Sequence, residues 1–396
     1  MSSVLIPISR AREQVLDATV PLTAEPVPLG IALGRVLAQD VVAAADVPPF
    51  GNSAMDGFAV RHDASSGALR IVGESRAGMP AAVALGPHEA IRISTGAPLP
   101  DGADAIVPVE DAREADGTVT ATAAPQPGQH VRGAGDDLRA GSVVLRAGTR
   151  LGAAELGVAV GAGAAELLCA RRPRVAILCT GDELREPGEP LGPGEIHNSN
   201  APMLAALAQQ EGADVLPATI VRDDRAGTER AFAQALEQAD LVVASGGVSV
   251  GPHDHVKPAL AALGVEERFW RVSLQPGKPT WFGARGERLV LGLPGNPVSS
   301  YVTFVLFARP ALRALQGAAP LPPRASARLT QPLPRRFREQ VVRVTLAEET
   351  GTLRATPTGP QPSHVTTSLL GADAFAFVPP GDGELAEGDA IEVERI

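Results

Sequence analysis

The sequence predicts a multidomain protein in which an α/β domain, built on a parallel sheet, is accompanied by β domains. Strand and helix patterns alternate from Arg174 to Ser300. This alternation implies parallel pairing, because a parallel crossover connection needs about a dozen residues or more. Short strand patterns separated by turn signals occupy 69–145 and again 337–394, which is typical of β domains. At 396 residues the chain has room for about two to four such domains.

The composition excludes several classes of protein. A hydrophobic fraction of 44% supplies ample core material, and a net charge of −10 argues against a general nucleic-acid partner. Cys169 and Cys179 are too few for a disulfide scaffold, which favours a reducing compartment. The first residues lack a signal-peptide pattern, and the longest apolar stretch, Leu156–Ala165, is too short to span a bilayer. We therefore expect a cytoplasmic protein with no nucleic-acid and no membrane partner.

The N-terminal third predicts a helical or mixed domain interrupted by a small β domain. Amphipathic helices are predicted at Ser9–Leu16 and Ile31–Val42, and the Ala-rich stretch Leu151–Leu168 returns to helical composition. If these helices pack together, the first domain is discontinuous and comprises 1–47 and 138–172. The small β domain then occupies 48–137, with strands predicted at 69–72, 90–94, 105–109 and 118–122.

The α/β domain is predicted to occupy 173–318. Its strands are expected at Arg174–Cys179, Val215–Val221 and Leu241–Ala244, with a helix beginning near Asn200. A long helix is predicted at Pro297–Leu315, with a kink at Pro310. The remaining residues, 319–396, predict a compact β domain of sandwich or barrel type, with strands at 337–346, 353–356, 375–378 and 390–394.

Three polar turns follow apolar strands of the α/β domain, at Thr180–Glu183, Ser245–Gly251 and Leu293–Pro297. Ligands of open α/β sheets bind outside the carboxyl ends of the strands, so these turns are the predicted site. Their glycines let backbone N–H groups approach an anion, and Asp182 and Glu183 have the oxygen ligands of a hard cation such as Mg²⁺. The alternative interpretation is that the acids cap a helix and the glycines serve turn geometry alone.

Six short motifs occur in an order that resembles a known family: Asn52–Gly57, Thr95–Pro98, Thr180–Leu184, Ser245–Gly251, Pro276–Pro279 and Leu293–Pro297. With these motifs the chain resembles MoeA, the molybdopterin molybdenumtransferases, and the E domain of gephyrin-like proteins, over nearly its full length. The resemblance implies four domains: an N-terminal helical or mixed domain, a small β domain, a central α/β molybdopterin-binding domain and a C-terminal β-barrel-like domain. It also implies an elongated homodimer.

The resemblance further implies a reaction, in which molybdate enters the dithiolene of adenylylated molybdopterin, Mg²⁺ assists and AMP leaves. A molybdopterin adenylyltransferase is then the expected upstream donor. Residue pattern and resemblance together give the catalytic candidates Asp56, Thr95, Asp137, Glu183 and Asp254. The substrate-binding candidates are Gly246, Gly247, Ser249, Asp223, Lys278, Pro294, Asn296, Pro297, Arg343 and Ser363. The expected Mg²⁺ ligands are Asp182 and Glu183.

Some positions allow other interpretations or depart from the family pattern. Gln275 stands where many relatives have lysine, which removes one positive charge from the expected oxyanion pocket unless Arg271 compensates. Gly51 stands where relatives often carry an acid. Arg343 alternates with valines, and such a residue could lie on a solvated strand face. The chain could also be an enzyme that uses the same α/β unit for a different nucleotide, or a scaffold; the N-terminal motif and the C-terminal β domain argue against the former, the acidic residues against the latter.

Overall fold

The computed structural model describes residues 5–248 and 255–396 and groups them into two compact units. The larger unit contains the described parts of 1–25, 34–38 and 168–396, and the smaller unit contains 26–33 and 39–167. This division is coarser than the four predicted domains, whose boundaries stay a prediction. The predicted fold class is confirmed: a multidomain α/β protein with a closed β-barrel in its C-terminal region.

The α-helices of the described residues, in chain order, are α1 (Ile8–Asp17), α2 (Ala153–Gly161), α3 (Asn200–Gln210), α4 (Arg225–Gln238), α5 (Val256–Ala262), α6 (Pro297–Thr303) and α7 (Arg309–Leu315). Short 3₁₀ turns occur at Leu29–Ile31, His62–Ala64, Val109–Asp111 and Thr366–Leu369. None of the helices within 5–248 and 255–396 has both the length and the apolar character needed to cross a membrane.

The strands up to residue 145 are β1 (Ala24–Pro28), β2 (Val41–Val42), β3 (Asn52–Ser53), β4 (Gly57–Val60), β5 (Leu69–Ser75), β6 (Glu89–Ile93), β7 (Ala105–Pro108), β8 (Ala112–Ala115), β9 (Thr118–Ala121), β10 (Val131–Arg132) and β11 (Val143–Leu145). The later strands are β12 (Glu166–Ala170), β13 (Arg174–Thr180), β14 (Leu184–Arg185), β15 (Ile196–His197), β16 (Asp214–Val215), β17 (Thr219–Val221), β18 (Leu241–Ser245), β19 (Glu266–Trp270), β20 (Leu274–Gln275), β21 (Trp281–Arg285), β22 (Arg288–Leu293), β23 (Ala325–Leu329), β24 (Leu333–Pro334), β25 (Glu339–Glu349), β26 (Thr352–Pro357), β27 (Ala374–Val378), β28 (Glu384–Leu385) and β29 (Ala390–Arg395).

The smaller unit is organised by a six-stranded sheet in the order β7-β4-β6-β5-β9-β8. Its alternating side chains bury two separate apolar clusters, one containing Phe58 and Leu69 and the other containing Ile91 and Ile106. In the same unit β2 pairs with β11, so the segment that precedes the six-stranded sheet lies beside the segment that follows it.

The larger unit contains a seven-stranded sheet in the order β16-β13-β18-β22-β21-β19, with β17 also paired to β13. The strands β13, β18 and β22 are parallel neighbours, as the alternation of strands and helices predicts. These central strands are almost continuously buried, which is typical of a parallel sheet covered on both faces.

One helical run, 297–315, covers the sheet. It consists of α6, a π-helical turn at Phe304–Ala308 and α7. A π-helical turn lies just before Pro310, which lacks an N–H group and whose ring excludes the carbonyl of the preceding turn. The kink at Pro310 stays a prediction. Helix α1 packs against this run, and Arg12 of α1 donates two hydrogen bonds to Glu394, of 2.9 and 2.8 Å.

The C-terminal β domain is a closed barrel. Its strands follow the ring β25-β26-β23-β29-β27, and β27 pairs back to β25. The barrel core contains Val342, Val344 and Ile391. Strand β20, which belongs to the α/β region of the sequence, adds to this sheet in parallel to β25. The sequence allowed either a sandwich or a barrel, and the pairing of β27 with β25 shows that the domain is a barrel.

Three predicted elements are wrong in extent or kind. Ile31–Val42 is not a helix: it holds the end of a 3₁₀ turn and strand β2, and Gly34 adopts a left-handed φ of 75° within it. The helix predicted for Leu151–Leu168 ends at Gly161, because the chain turns at Gly163 and continues as β12. The strand predicted for Val215–Val221 is divided into β16 and β17, both paired to β13.

Candidate functional site

The three polar turns after β13, β18 and β22 lie around one cavity of about 570 Å³. Because these strands are parallel neighbours, their carboxyl ends reach the same edge of the sheet. We call this space the glycine-turn cavity. The residues that line it are Cys179, Thr180, Glu183, Leu184, Ile196, His197, Asn198, Ser199, Asn200, Ser245, Gly246, Gly247, Val248, Pro279, Pro294, Gly295, Asn296 and Pro297.

Two glycines are required by the turn after β18. Gly246 and Gly247 have φ values of 92° and 67°, a region that residues with a Cβ rarely adopt. A Cβ on Gly246 would lie 2.8 Å from the carbonyl oxygen of Thr180, and one on Gly247 would lie 2.6 Å from Val256 Cγ2. The turn therefore packs its backbone directly against the end of β13, which only glycine allows.

A hydrogen-bond network joins this turn to the one after β22. The Asn200 side-chain amide donates to Ser245 Oγ and to the carbonyl of Gly295, each at 2.8 Å. Ser300 Oγ donates to the carbonyl of Pro294 at 2.6 Å and lies 3.0 Å from Ser245 Oγ. The first residue of α3 thus fixes two of the three turns relative to each other.

Two buried polar atoms that line the cavity have no hydrogen-bond partner among the described residues. They are Thr180 Oγ1 and Asn200 Oδ1. Buried polar atoms are usually paired, so these two are available to a bound ligand. Cys179 also lines the cavity, but burial raises the pKa of its thiol to about 11, so it stays protonated at neutral pH and is not an activated nucleophile.

The acidic turn after β13 holds several carboxylates close together. The backbone N–H of Asp223 donates to Asp182 Oδ1 at 3.3 Å, and Arg185 and Arg222 both donate to the Asp182 carbonyl at 2.9 Å. Burial raises the pKa of Asp223, and the carboxylates of Asp182 and Glu183 raise it further. Such a set of mutually repelling oxygen ligands suits a hard cation. Within 5–248 and 255–396, however, no cluster of three or more His, Cys, Asp or Glu residues forms a complete metal site.

A second cavity, of about 440 Å³, lies beside the barrel. We call it the arginine cavity, because its described lining contains two arginines and no carboxylate. The lining residues are Gln275, Pro276, Arg336, Gln340, Val341, Val342, Arg343, Gln361, Pro362 and Ser363.

Arg343 is the most unusual residue of this cavity. Its side chain is 0% exposed, although its neighbours Val342 and Val344 point into the barrel core, so the solvated strand face that the alternation allowed is wrong. Arg343 Nη2 donates to Ser368 Oγ at 2.9 Å, whereas its Nε and Nη1 atoms have no described partner. Burial lowers the pKa of Arg343 to about 10, and the guanidinium is still charged at neutral pH. Burying a guanidinium without a counter-charge costs folding free energy. A bound anion would offset this cost, so the geometry suits an anion site.

The two cavities meet at one hydrogen bond. Asn296, from the glycine-turn cavity, donates from Nδ2 to Oγ of Ser363, from the arginine cavity, at 3.0 Å. The backbone N–H of Val298 also donates to the Ser363 carbonyl, at 3.2 Å. The two cavities are therefore adjacent.

The structure brings together some of the predicted site residues but not all. Glu183, Gly246, Gly247, Pro294, Asn296 and Pro297 line the glycine-turn cavity, and Arg343 and Ser363 line the arginine cavity. Asp182 and Asp223 border the first cavity without lining it. Lys278 is exposed and lines neither, but it lies between Pro276 of one lining and Pro279 of the other.

Asp56, Thr95 and Asp137 belong to the smaller unit. There Asp56 Oδ1 accepts a hydrogen bond of 2.7 Å from the backbone N–H of Thr95. The backbone N–H of Asp137 donates to the carbonyl of Val47 at 3.0 Å. Ser249 and Asp254 lie outside the described residues. The functional roles of all of these residues stay predictions.

Sequence reasoning missed several cavity residues. The helix start near Asn200 was predicted, but Asn198, Ser199 and Asn200 were not predicted as site residues. Arg336 and Gln361 carried no sequence signal, because each lies in a loop that only barrel closure brings to the cavity. Arg271, suggested as a compensating charge, instead lies 4.1 Å from the ring centre of Trp270 and does not line the arginine cavity.

Fold and site together define an open α/β protein with an anion-type ligand site at the carboxyl edge of its sheet, completed by an arginine-lined barrel face. Three family models match the chain: "MoeA N-terminal region (domain I and II)" over residues 6–163, "Probable molybdopterin binding domain" over 176–314, and "MoeA C-terminal region (domain IV)" over 326–396.

Known proteins agree with these matches. A molybdopterin molybdenumtransferase of Haemophilus influenzae is 35% identical over 402 residues, covering 98% of each chain. Molybdopterin molybdenumtransferase 2 of Mycobacterium tuberculosis is 40% identical over 403 residues, covering 97% of each. A crystal structure of a molybdopterin biosynthesis MoeA protein from Pyrococcus horikoshii has a TM-score of 0.82 and 31% identity, and the match covers 99% of each chain. The chain belongs to the MoeA family.

Proposed function

We propose that this protein is a molybdopterin molybdenumtransferase of molybdenum cofactor biosynthesis, which inserts molybdate into adenylylated molybdopterin with Mg²⁺-dependent release of AMP. The observation that carries the proposal is the contact between two unlike cavities through Asn296 and Ser363. One cavity has the amides, hydroxyls and acidic turn suited to a nucleotide, and the other has the guanidiniums suited to an oxyanion. The names of the relatives support the molybdenum transfer in this proposal.

In this proposal the glycine-turn cavity binds the nucleotide-linked pterin. The close backbone approach at Gly246 and Gly247 lets the pyrophosphate come near the turn, although the Gly246 N–H already donates to the carbonyl of Leu293 at 3.0 Å. Helix α3 begins at the cavity with Asn200, so the positive end of its dipole would face the anion. Thr180 Oγ1 and Asn200 Oδ1 are further polar atoms that a ligand can use. Ser249, Asp223, Pro294 and Pro297 complete the proposed binding set.

The arginine cavity binds molybdate in this proposal. Molybdate is a tetrahedral dianion, and charge-assisted hydrogen bonds from a guanidinium are among the strongest that it can accept. The two unpartnered nitrogen atoms of Arg343 face no competing carboxylate in the described lining. Ser363 would hold the dianion on the side that faces the pterin, and Lys278 lies on the segment between the two sites.

The acidic turn is the proposed cation site. Asp182 and Glu183, with Asp254 as a further candidate, would hold Mg²⁺, which when bound supplies neutralisation of phosphate charge. Phosphoryl chemistry of this kind needs positioning and charge neutralisation more than a covalent nucleophile, which fits a cavity whose cysteine stays protonated. The proposal also includes a cytoplasmic homodimer, in which Asp56, Thr95 and Asp137 act from a neighbouring subunit, and a molybdopterin adenylyltransferase as donor.

The test is to mix the purified protein with adenylylated molybdopterin, Mg²⁺ and molybdate and to measure released AMP by chromatography. We expect release to require both Mg²⁺ and molybdate. Omitting either one is the internal control. If AMP is released at the same rate without molybdate, the protein hydrolyses the nucleotide without inserting metal, and the proposed function is wrong.

A further inference from the structure

The loop that precedes β25 carries three arginines, at 335, 336 and 338, and the structure uses them differently. Arg335 donates from Nη2 to the carbonyl of Pro380 at 2.7 Å, and Arg338 donates from Nη1 to the carbonyl of Leu274 at 2.7 Å. Both guanidiniums therefore hold the backbone in place. The side chain of Arg336 is exposed, lines the arginine cavity, and makes no hydrogen bond or ion pair with the described residues.

The backbone of Arg336 is nevertheless fixed. Its carbonyl accepts a hydrogen bond of 3.0 Å from the N–H of Gly381, and the N–H of Arg335 donates to the carbonyl of Gly383 at 2.8 Å. The neighbouring contact of Arg338 with Leu274 also keeps β20, and hence Gln275, at the cavity. A free guanidinium on a fixed backbone can reorient onto a ligand at small cost, because only side-chain freedom is lost.

The charge balance of the arginine cavity suggests a role for the Arg336 guanidinium. Arg343 is buried and supplies one fixed positive charge, whereas Gln275, which also lines the cavity, is neutral. One guanidinium balances a monoanion, but it leaves a tetrahedral dianion with one uncompensated negative charge in a partly enclosed site. Arg336 is the one further cation among the described lining residues.

We propose that Arg336 closes onto the bound oxyanion as its second cation and makes the cavity selective for dianions over monoanions of the same shape. The inference rests on the proposed function, since it takes the arginine cavity as the oxyanion site. Arg343 supplies affinity for any tetrahedral oxyanion, and Arg336 adds the preference for double charge, because its Coulombic gain doubles when the ligand charge doubles.

The experiment is calorimetric titration of the full-length protein with molybdate and with perchlorate, a tetrahedral monoanion. For Arg336→Gln we expect about tenfold weaker molybdate binding and only about threefold weaker perchlorate binding, because the Coulombic loss is half as large for the monoanion. Arg328→Gln removes the same charge from an exposed barrel position that does not line the cavity, and it should change neither affinity. Arg336→Lys, which keeps the charge, should restore most of the molybdate affinity.

A second arm separates a charge effect from a structural one. Adding Gln275→Lys to Arg336→Gln returns a cation to the cavity lining and should recover molybdate affinity without improving perchlorate binding to the same degree. If Arg336→Gln behaves like Arg328→Gln while Arg343→Lys weakens molybdate binding, the cavity is the oxyanion site but Arg336 has no part in it. If the wild-type protein binds no molybdate, or if Arg343→Lys binds it unchanged, the assignment of the cavity fails and this inference falls with it.

Discussion

The two cavities of the larger unit are built on opposite physical principles. The glycine-turn cavity is formed by backbone geometry: three turns at the edge of a parallel sheet, held by Asn200 and Ser300. The arginine cavity is formed by charge, since Arg343 is buried with two unpaired nitrogen atoms. We therefore expect a change of shape without a change of charge to impair the glycine-turn cavity, and a change of charge at similar size to impair the arginine cavity.

The largest effect is expected for Arg343→Met, which keeps a long side chain and removes the charge. Loss of two charge-assisted hydrogen bonds should weaken molybdate binding by about 1,000-fold. The same change should stabilise the larger unit by about 1–2 kcal/mol, because a buried unpaired cation is removed. Titration and thermal unfolding measure the two effects. A variant that is less stable than wild type, or that still binds molybdate, contradicts the proposed charge cavity.

Gly246→Ala tests the other principle, since it adds a methyl group and no charge. The Cβ would lie 2.8 Å from the Thr180 carbonyl oxygen at a φ of 92°, so the turn must move. We expect about 100-fold slower AMP release and a stability loss of about 2–4 kcal/mol. Gly295→Ala is the matched control, because its Cβ meets nothing closer than 3.8 Å. Equal stability losses for both variants would show that the strain at Gly246 is not special.

Glu183→Gln removes one acid that lines the glycine-turn cavity while keeping its size. If Glu183 helps to hold the cation, Mg²⁺-dependent AMP release should fall about 30-fold, and more Mg²⁺ should be needed for half-maximal rate. Glu186→Gln makes the same change at an exposed residue outside the lining and should leave the rate unchanged. Kinetics over a Mg²⁺ series decide the matter. An unaltered Mg²⁺ dependence in the Glu183 variant removes this residue from the cation site.

Gln275→Lys should have the smallest effect and the opposite sign. A lysine at this lining position adds positive charge to the arginine cavity, so molybdate binding should tighten by about 3–10-fold. Gln331→Lys adds the same charge to an exposed loop of the same domain and serves as control. The gain should shrink as salt is raised, because an exposed cation is screened. Unchanged or weaker binding by the Gln275 variant would mean that the cavity does not recognise its ligand by charge.

The same contrast explains what the sequence could and could not predict. The glycine-turn cavity was predictable, because apolar strands followed by glycine turns are local signals and parallel pairing brings their ends together. The arginine cavity was not, because the position of Arg343 between Val342 and Val344 fits a half-exposed strand equally well. Closure of the barrel buries the face with Val342 and Val344. The face with Arg343 is covered from outside the barrel, where Val341 and Phe375 join the core of the α/β sheet and Ser368 accepts a hydrogen bond from the guanidinium. A sequence pattern shows which residues share one face of a strand, but it does not show which part of the chain covers that face.

The predicted helices failed for a related reason. Ile31–Val42 has helical spacing of its apolar residues, yet Gly34 takes a left-handed conformation and Val41–Val42 pairs with β11, more than 100 residues away along the chain. A kink was predicted at Pro310, and a π-helical turn at Phe304–Ala308 lies just before that proline. Local sequence signals thus located the irregular positions, but they did not predict the secondary structure that tertiary pairing imposes there.

The most direct test of the molybdate site is anomalous X-ray diffraction, above and below the molybdenum absorption edge, from crystals of the protein soaked in molybdate. We expect one molybdenum peak within hydrogen-bonding reach of Arg343 and Ser363, next to the Asn296 side of the cavity. A peak near Gly246 and Gly247, with none beside Arg343, would contradict the assignment of molybdate to the arginine cavity and of the pterin nucleotide to the glycine-turn cavity.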